Sequence, residues 1–101
     1  MGLKHKFHAV KCEYDGFSFP SKKEGNDYLK LKLLKDKGEV VTFLRQVPLH
    51  LPGGVKLVVD WLVFWTNGDA TFADTKGMKT PIYIAKKKIA EAYHGITIEE
   101  W

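Results

Sequence analysis

Residues 55–76 read VKLVVDWLVFWTNGDATFADTK, and the way their two halves pair decides the fold. Leu57, Val59, Trp61, Val63 and Trp65 alternate with Val58, Leu62 and Phe64. Both faces of the first half are therefore apolar, as expected of a central strand covered on both sides. Asn67-Gly68-Asp69 turns the chain, and residues 70–76 return as the partner strand. Asp60 interrupts the apolar run, where an ionised carboxylate is costly without a cation or hydrogen bonds. Asp74 and Lys76, two residues apart, leave one face of their strand while Thr75 leaves the other. A register centred on Asn67 puts Asp60 opposite Asp74. A two-residue Asn67-Gly68 turn would instead put Asp60 opposite Thr75, on the wrong face. Convergence of the two aspartates thus predicts an odd-length loop or a bulge.

Upstream, residues 9–19 (AVKCEYDGFSF) suggest two short strands around Asp15-Gly16, a dipeptide that accepts positive φ. Ser21-Lys22-Lys23-Glu24 is a capping box, so a helix begins at about Lys22. Its apolar positions Tyr28, Leu29, Leu31, Leu33 and Leu34 form one side, and Gly38 supplies a left-handed stop. The stretch VVTFLRQVPLHL, residues 40–51, has strand composition, with Pro48 marking an edge, a bulge or the strand end. Pro52-Gly53-Gly54 turns the chain into the central strand. Downstream, Gly77 and Pro81 precede a second helix over roughly residues 83–93, and residues 96–101 form a last short strand. This order predicts one α/β domain over residues 1–101, a mixed central sheet flanked by helices.

The composition is compatible with an independently folding chain: 101 residues, 45% of them hydrophobic. Fifteen lysines and the single arginine, Arg45, outweigh twelve acidic residues, for a formal charge of +4. That bias favours polyanionic partners through their backbone rather than base-edge reading. Cys12 is alone, so no internal disulfide forms, and a thiol of this kind suits a reducing, cytoplasmic setting. No apolar run reaches the length of a membrane span, and MGLKHKFH lacks the apolar core of a signal peptide.

Two carboxylates facing one point repel unless they share a hard cation, and carboxylate oxygens with waters suit Mg²⁺ or Mn²⁺. The Thr75 carbonyl could add a ligand. Such an ion activates water and stabilises charge on a phosphoryl oxygen, while Lys76 can orient the water. These are the needs of phosphodiester hydrolysis.

The series of Glu24 on the first helix, Asp60 on the central strand and Asp74-Thr75-Lys76 on its neighbour resembles the PD-(D/E)XK nuclease superfamily. The stretches DGFSFPSKKEGNDYLKLKLL, LRQVPLHL, VVDWLVFW and FADTKGMKT resemble small phage-encoded, Holliday junction resolvase-like endonucleases within it. Val59 stands where the superfamily usually has proline before the first aspartate. The resemblance implies a restriction-endonuclease-like core. It makes Glu24, Asp60 and Asp74 the acidic metal-site residues, Lys76 the catalytic lysine and Gln46 a neighbour of the site. It further implies a Mg²⁺-dependent endonuclease acting on branched DNA in phage recombination or replication, in the cytoplasm of a bacterial host. A chain this small covers little DNA, so a homodimer presenting two centres is expected, with no small-molecule cofactor.

Plainer readings stand beside these. Glu24 is accounted for by the capping box, and Asp74 and Lys76 by a same-face ion pair of small energetic value. Asp69 fits a turn. Lys86, Lys87 and Lys88 form a solvated helix face by default, but Lys86 and Lys87, with Lys22, Lys23 and Gln46, are also candidates for contact with nucleic acid. His5, His8, Cys12, His50 and His94 lack the paired spacing of a zinc site. Trp61 and Trp65 fit packing, and Trp101 is either exposed or closes an interface. The competing functions are a non-catalytic nucleic-acid-binding module of the same fold and a protein-interaction or structural component.

Overall fold

The computed structural model describes residues 11–75 and 79–101. Lys76, Gly77, His5 and His8 lie outside them. The described residues form a mixed α/β structure, with a four-stranded mixed sheet, a separate hairpin and two helices.

Strands β1 (Cys12–Tyr14) and β2 (Phe17–Phe19) make the hairpin. Asp15 and Gly16 both adopt positive φ, 52° and 82°, which matches the twist of the flanking strands. Helix α1 (Lys22–Asp36) starts on Ser21, whose hydroxyl accepts from the Glu24 N–H at 3.1 Å. It stops at left-handed Gly38, where the Glu39 N–H reaches the Leu34 carbonyl and the Gly38 N–H that of Lys35.

The buried stripe of α1 is narrower than its composition suggests. Glu24, Gly25, Tyr28 and Leu31 are buried, whereas Leu29 and Leu33 are exposed. Glu24, Tyr28 and Leu31 recur at helical spacing, so the glutamate shares the inward stripe rather than simply ornamenting the cap.

The main sheet has the order β3 (Val40–Leu51), β4 (Val55–Trp65), β5 (Ala70–Asp74), β6 (Ile98–Glu100). The first three strands are antiparallel, and β6 runs parallel to β5. Strand β4 is central, but its faces are unequal. Leu57, Val59, Trp61 and Val63 are buried, while Val58, Leu62 and Phe64 are half-buried. Apolar residues on a partly covered face look the same in sequence as those in a core. Helix α2 (Pro81–His94) begins earlier than the sequence suggested: Pro81 opens it, capped by Thr80, instead of only ending what precedes. Proline suits that position because its missing N–H would have had no helical partner there.

Two apolar clusters form the core. One joins Trp61, Val63 and Ala73 of the sheet to Phe19 and to Tyr28 and Leu31 of α1. The other joins Val59 and Leu57 to Leu49, Leu51 and Ile98 and to Tyr83 and Ala90 of α2. Asp60 lies between Val59 of one cluster and Trp61 of the other.

Candidate functional site

The hairpin between β4 and β5 sets the relation of the two aspartates. Trp65 donates its N–H to the Asp69 carbonyl at 2.8 Å, and the Gly68 N–H returns to the Trp65 carbonyl at 3.0 Å. The loop is therefore Thr66-Asn67-Gly68, of odd length, with Gly68 at φ 97° supplying the left-handed residue of a three-residue connection. Phe64 pairs with Ala70 and Trp61 with Ala73, and one further step of this register sets Asp60 opposite Asp74.

At that step side chains take over from the backbone ladder. The Asp60 N–H donates to Asp74 Oδ1 at 2.8 Å, and the Thr75 N–H donates to Asp60 Oδ2 at 2.9 Å. Asp60 and Asp74 are 6% and 0% exposed, so these bonds provide the compensation that burial demands.

On the other side of β4, the regular register passes from Arg45–Trp61 to Val47–Val59 and so sets Gln46 opposite Asp60. Gln46 has φ 53°, a left-handed conformation that costs a non-glycine residue energy. Its amide Nε2 lies 3.2 Å from Asp60 Oδ1 and 3.4 Å from Glu24 Oε2. One donor group thus stands between two buried carboxylates, from the first turn of α1 and the middle of β4.

Two further residues complete the surroundings. Tyr83, in the first turn of α2, donates its hydroxyl to Asp74 Oδ2 at 2.9 Å. Burial, and then the hydrogen bond to that carboxylate, raise the phenol well above its ordinary value and keep it a donor. The Thr75 side chain turns instead toward α1. Its hydroxyl donates to Asp27 and accepts from the Trp61 indole N–H at 2.9 Å.

Glu24, Gln46, Asp60, Asp74 and Thr75 therefore come together, while Lys76 lies outside the described residues. Lys22 and Lys23 occupy the exposed start of α1 beside Glu24. Lys86 and Lys87 sit one turn beyond Tyr83 on α2, and each has a structural partner: Lys86 reaches the Lys56 carbonyl at 3.3 Å, and Lys87 pairs with Glu100 at 2.9 Å. Lys79 joins the same glutamate at 2.6 Å. Among the described residues, no three His, Cys, Asp or Glu side chains converge closely enough to hold a metal ion by themselves.

Sequence reading missed Tyr83 and Asp27. Tyr83 had a weak signal, an amphipathic phenol in the first turn of the helix that follows the Asp-Thr-Lys run. Asp27 had none, because its partner lies 48 positions away.

A family model described as Protein of unknown function (DUF1064) matches residues 4–99. The chain belongs to that family. No curated protein and no solved structure matches it. The match spans all the elements of this DUF1064 chain that contribute to the site. Among the described residues, no helix is long and apolar enough to cross a membrane.

Proposed function

We propose that the protein is a Mg²⁺- or Mn²⁺-dependent DNA endonuclease with a restriction-endonuclease-like core, acting on branched DNA. The observation that carries this reading is the convergence of the Glu24 and Asp60 carboxylates on the single amide of Gln46, with Asp74 across the strand from Asp60. Paired buried carboxylates draw positive charge, and an uncharged amide N–H between them donates hydrogen bonds without neutralising either.

The donor set fits a hard cation. Mg²⁺ is usually held by one or two carboxylates, waters and substrate phosphate rather than by an all-protein cage. A Glu24–Asp60 pair completed by Asp74, the Thr75 carbonyl and a phosphodiester is a set of that type. When bound, the ion would supply Lewis-acid stabilisation of the phosphoryl group and a more acidic water. The residues around it have positioning roles: Tyr83 and the Asp60 N–H orient Asp74, and the Thr75 N–H orients Asp60. Lys76 would orient the attacking water. Lys22 and Lys23, beside Glu24, would meet neighbouring phosphates, with Lys86 and Lys87 following from α2. A homodimer in the cytoplasm of a bacterial host, presenting two centres to two strands, completes the reading.

One observation favours the second reading, a non-catalytic nucleic-acid-binding module. Both oxygens of Asp60 and both of Asp74 already accept a protein hydrogen bond, as structural carboxylates do. A carboxylate oxygen can accept more than one bond, so these contacts do not by themselves exclude a cation. Plasmid and synthetic four-way junctions incubated with Mg²⁺ or Mn²⁺ separate the two. Cleavage by the wild type, lost in Asp74→Ala and Lys76→Ala while folding and binding persist, supports the nuclease. Binding with no cleavage under either metal supports the module.

A further inference from the structure

Beside the carboxylates, on the β3 side, is a cavity of about 470 Å³. Phe17, Tyr28 and Phe43 line it together with Lys35, Arg45 and Gln46. Gln46 is also the residue whose amide touches Glu24 and Asp60, so the cavity opens directly beside the proposed centre.

Its chemistry is specific. Phe17 and Phe43 each set an edge contact on Tyr28, at 5.9 and 5.8 Å between centroids, which makes an aromatic wall. Phe17 is 45% exposed, so part of its ring remains open to a ligand. The Arg45 guanidinium is stacked over the rings of Phe17 and Phe19, at 5.0 and 4.4 Å from their centroids. Among the described residues no carboxylate pairs with Arg45, and its buried Nε has no acceptor. A guanidinium stacked on aromatic faces and paired with no described carboxylate can take an anionic ligand. Lys35 adds a second positive charge. A second cavity among the described residues, lined by Asp27, Lys30 and Glu99 with Trp65 and Trp101, sets two carboxylates against one lysine and is the poorer match for a phosphate.

Aromatic faces beside cations are the combination that holds single-stranded nucleic acid: bases stack and the backbone meets positive charge. A base can enter such a cavity only by leaving its stack, which is easiest when it is unpaired. Resting on the nuclease reading for the neighbouring phosphate, we infer that this cavity receives one unpaired nucleotide of DNA, its base against Phe17 and its phosphate toward Arg45. An unpaired nucleotide next to the cut bond would direct the centre to branch points, gaps and flaps rather than to continuous duplex.

Fluorescence anisotropy with labelled oligo-dT and a blunt duplex, with all metal chelated, tests this independently of cleavage. Phe17→Ala and Arg45→Met are expected to weaken oligo-dT binding roughly tenfold or more, the scale of one lost stacking or phosphate contact, and to leave duplex binding unchanged. Phe17→Trp should retain the affinity and show indole quenching when oligo-dT is added. If Arg45→Met does not fold, Phe17→Ala decides, because its ring is half exposed. Wild-type affinity for oligo-dT in a folded Phe17→Ala variant, or an equal loss on duplex, would overturn the inference. The two readings fail separately: selective loss of oligo-dT binding in a protein that cleaves nothing removes only the nuclease. Wild-type cleavage with unaltered binding in the variants removes only the nucleotide site.

Discussion

Asp60 and Asp74 hold each other across two strands: the Asp60 N–H donates to the Asp74 carboxylate, and the N–H following Asp74 donates to the Asp60 carboxylate. This reciprocal arrangement separates charge from shape in a mutational test. Asp74→Asn keeps an oxygen for the Asp60 N–H and presents an amide to Tyr83, whose hydroxyl can also accept. It should melt near the wild type and, on the proposed nuclease reading, lose DNA cleavage by about a hundredfold or more, a scale typical of removing a group that stabilises transition-state charge. Asp74→Ala leaves two buried donors without an acceptor, and should lose about 2–5 kcal/mol by urea unfolding. Equal stability of the two variants would mean that these hydrogen bonds do not hold the strands.

Tyr83→Phe removes one hydroxyl and keeps the ring in the α2 cluster. The lost bond is to a buried carboxylate, so the expected cost is about 1.5–3 kcal/mol. If Asp74 acts in cleavage and Tyr83 orients it, kcat should fall while DNA affinity is kept. An unchanged melting temperature would show that the phenol is not bonded to Asp74 in solution.

Much of this site was legible because period-2 patterning and hairpin arithmetic are local. Asp60 stood out against the apolar run of β4, and centring the register on Asn67 required an odd-length loop or a bulge, of which the chain forms a three-residue loop. The capping box located the start of α1, but only the fold shows that Glu24 shares the inward stripe and faces Gln46. The left-handed backbone of Gln46 carries no sequence signature, since glutamine is not a residue that favours it. Asp27 and Tyr83 reach the site through tertiary packing, which periodicity does not encode. For the same reason Leu29 and Leu33 read as core although they are exposed.

Gly25 is needed for close packing rather than for a special φ. A Cβ there would lie 2.9 Å from Tyr14 Cε2 and closer still to Cys12 Sγ, wedging the hairpin away from α1. Alanine gains about 1 kcal/mol of helix propensity, but overpacking costs about 1–3 kcal/mol, so Gly25→Ala should be net destabilising. Adding Cys12→Ala removes the nearest obstacle. The double variant should therefore recover part of the loss, and strict additivity in a thermal-melt cycle would rule the clash out.

Glu100 gives stability a dependence on pH. Lys79, then Lys87, hold its carboxyl below the ordinary value of 4.5. The folded chain therefore releases this proton more readily than the unfolded chain does. The contribution is whole above pH 4.5 and is lost as pH falls through the lowered value. Urea unfolding of the wild type and Glu100→Gln should differ at neutral pH and converge in acid, with the gap shrinking in high salt. A gap that widens as pH falls would reverse the assigned sign.

Gln46 combines a strained backbone with a useful side chain, so the two can be set against each other. Glycine relieves the left-handed conformation by roughly 1–2 kcal/mol and removes the amide that spans Glu24 and Asp60. Because Gln46 is exposed, its hydrogen bonds to those carboxylates return less stability than buried ones would. Gln46→Gly should therefore melt at or above the wild-type temperature and, on the proposed nuclease reading, cut DNA more slowly, since nothing then spaces the two carboxylates. Asparagine also tolerates left-handed backbone but is one methylene too short to bridge them, and should behave alike. A Gln46→Gly variant that is both less stable and fully active would show that the strain serves the fold and not the site.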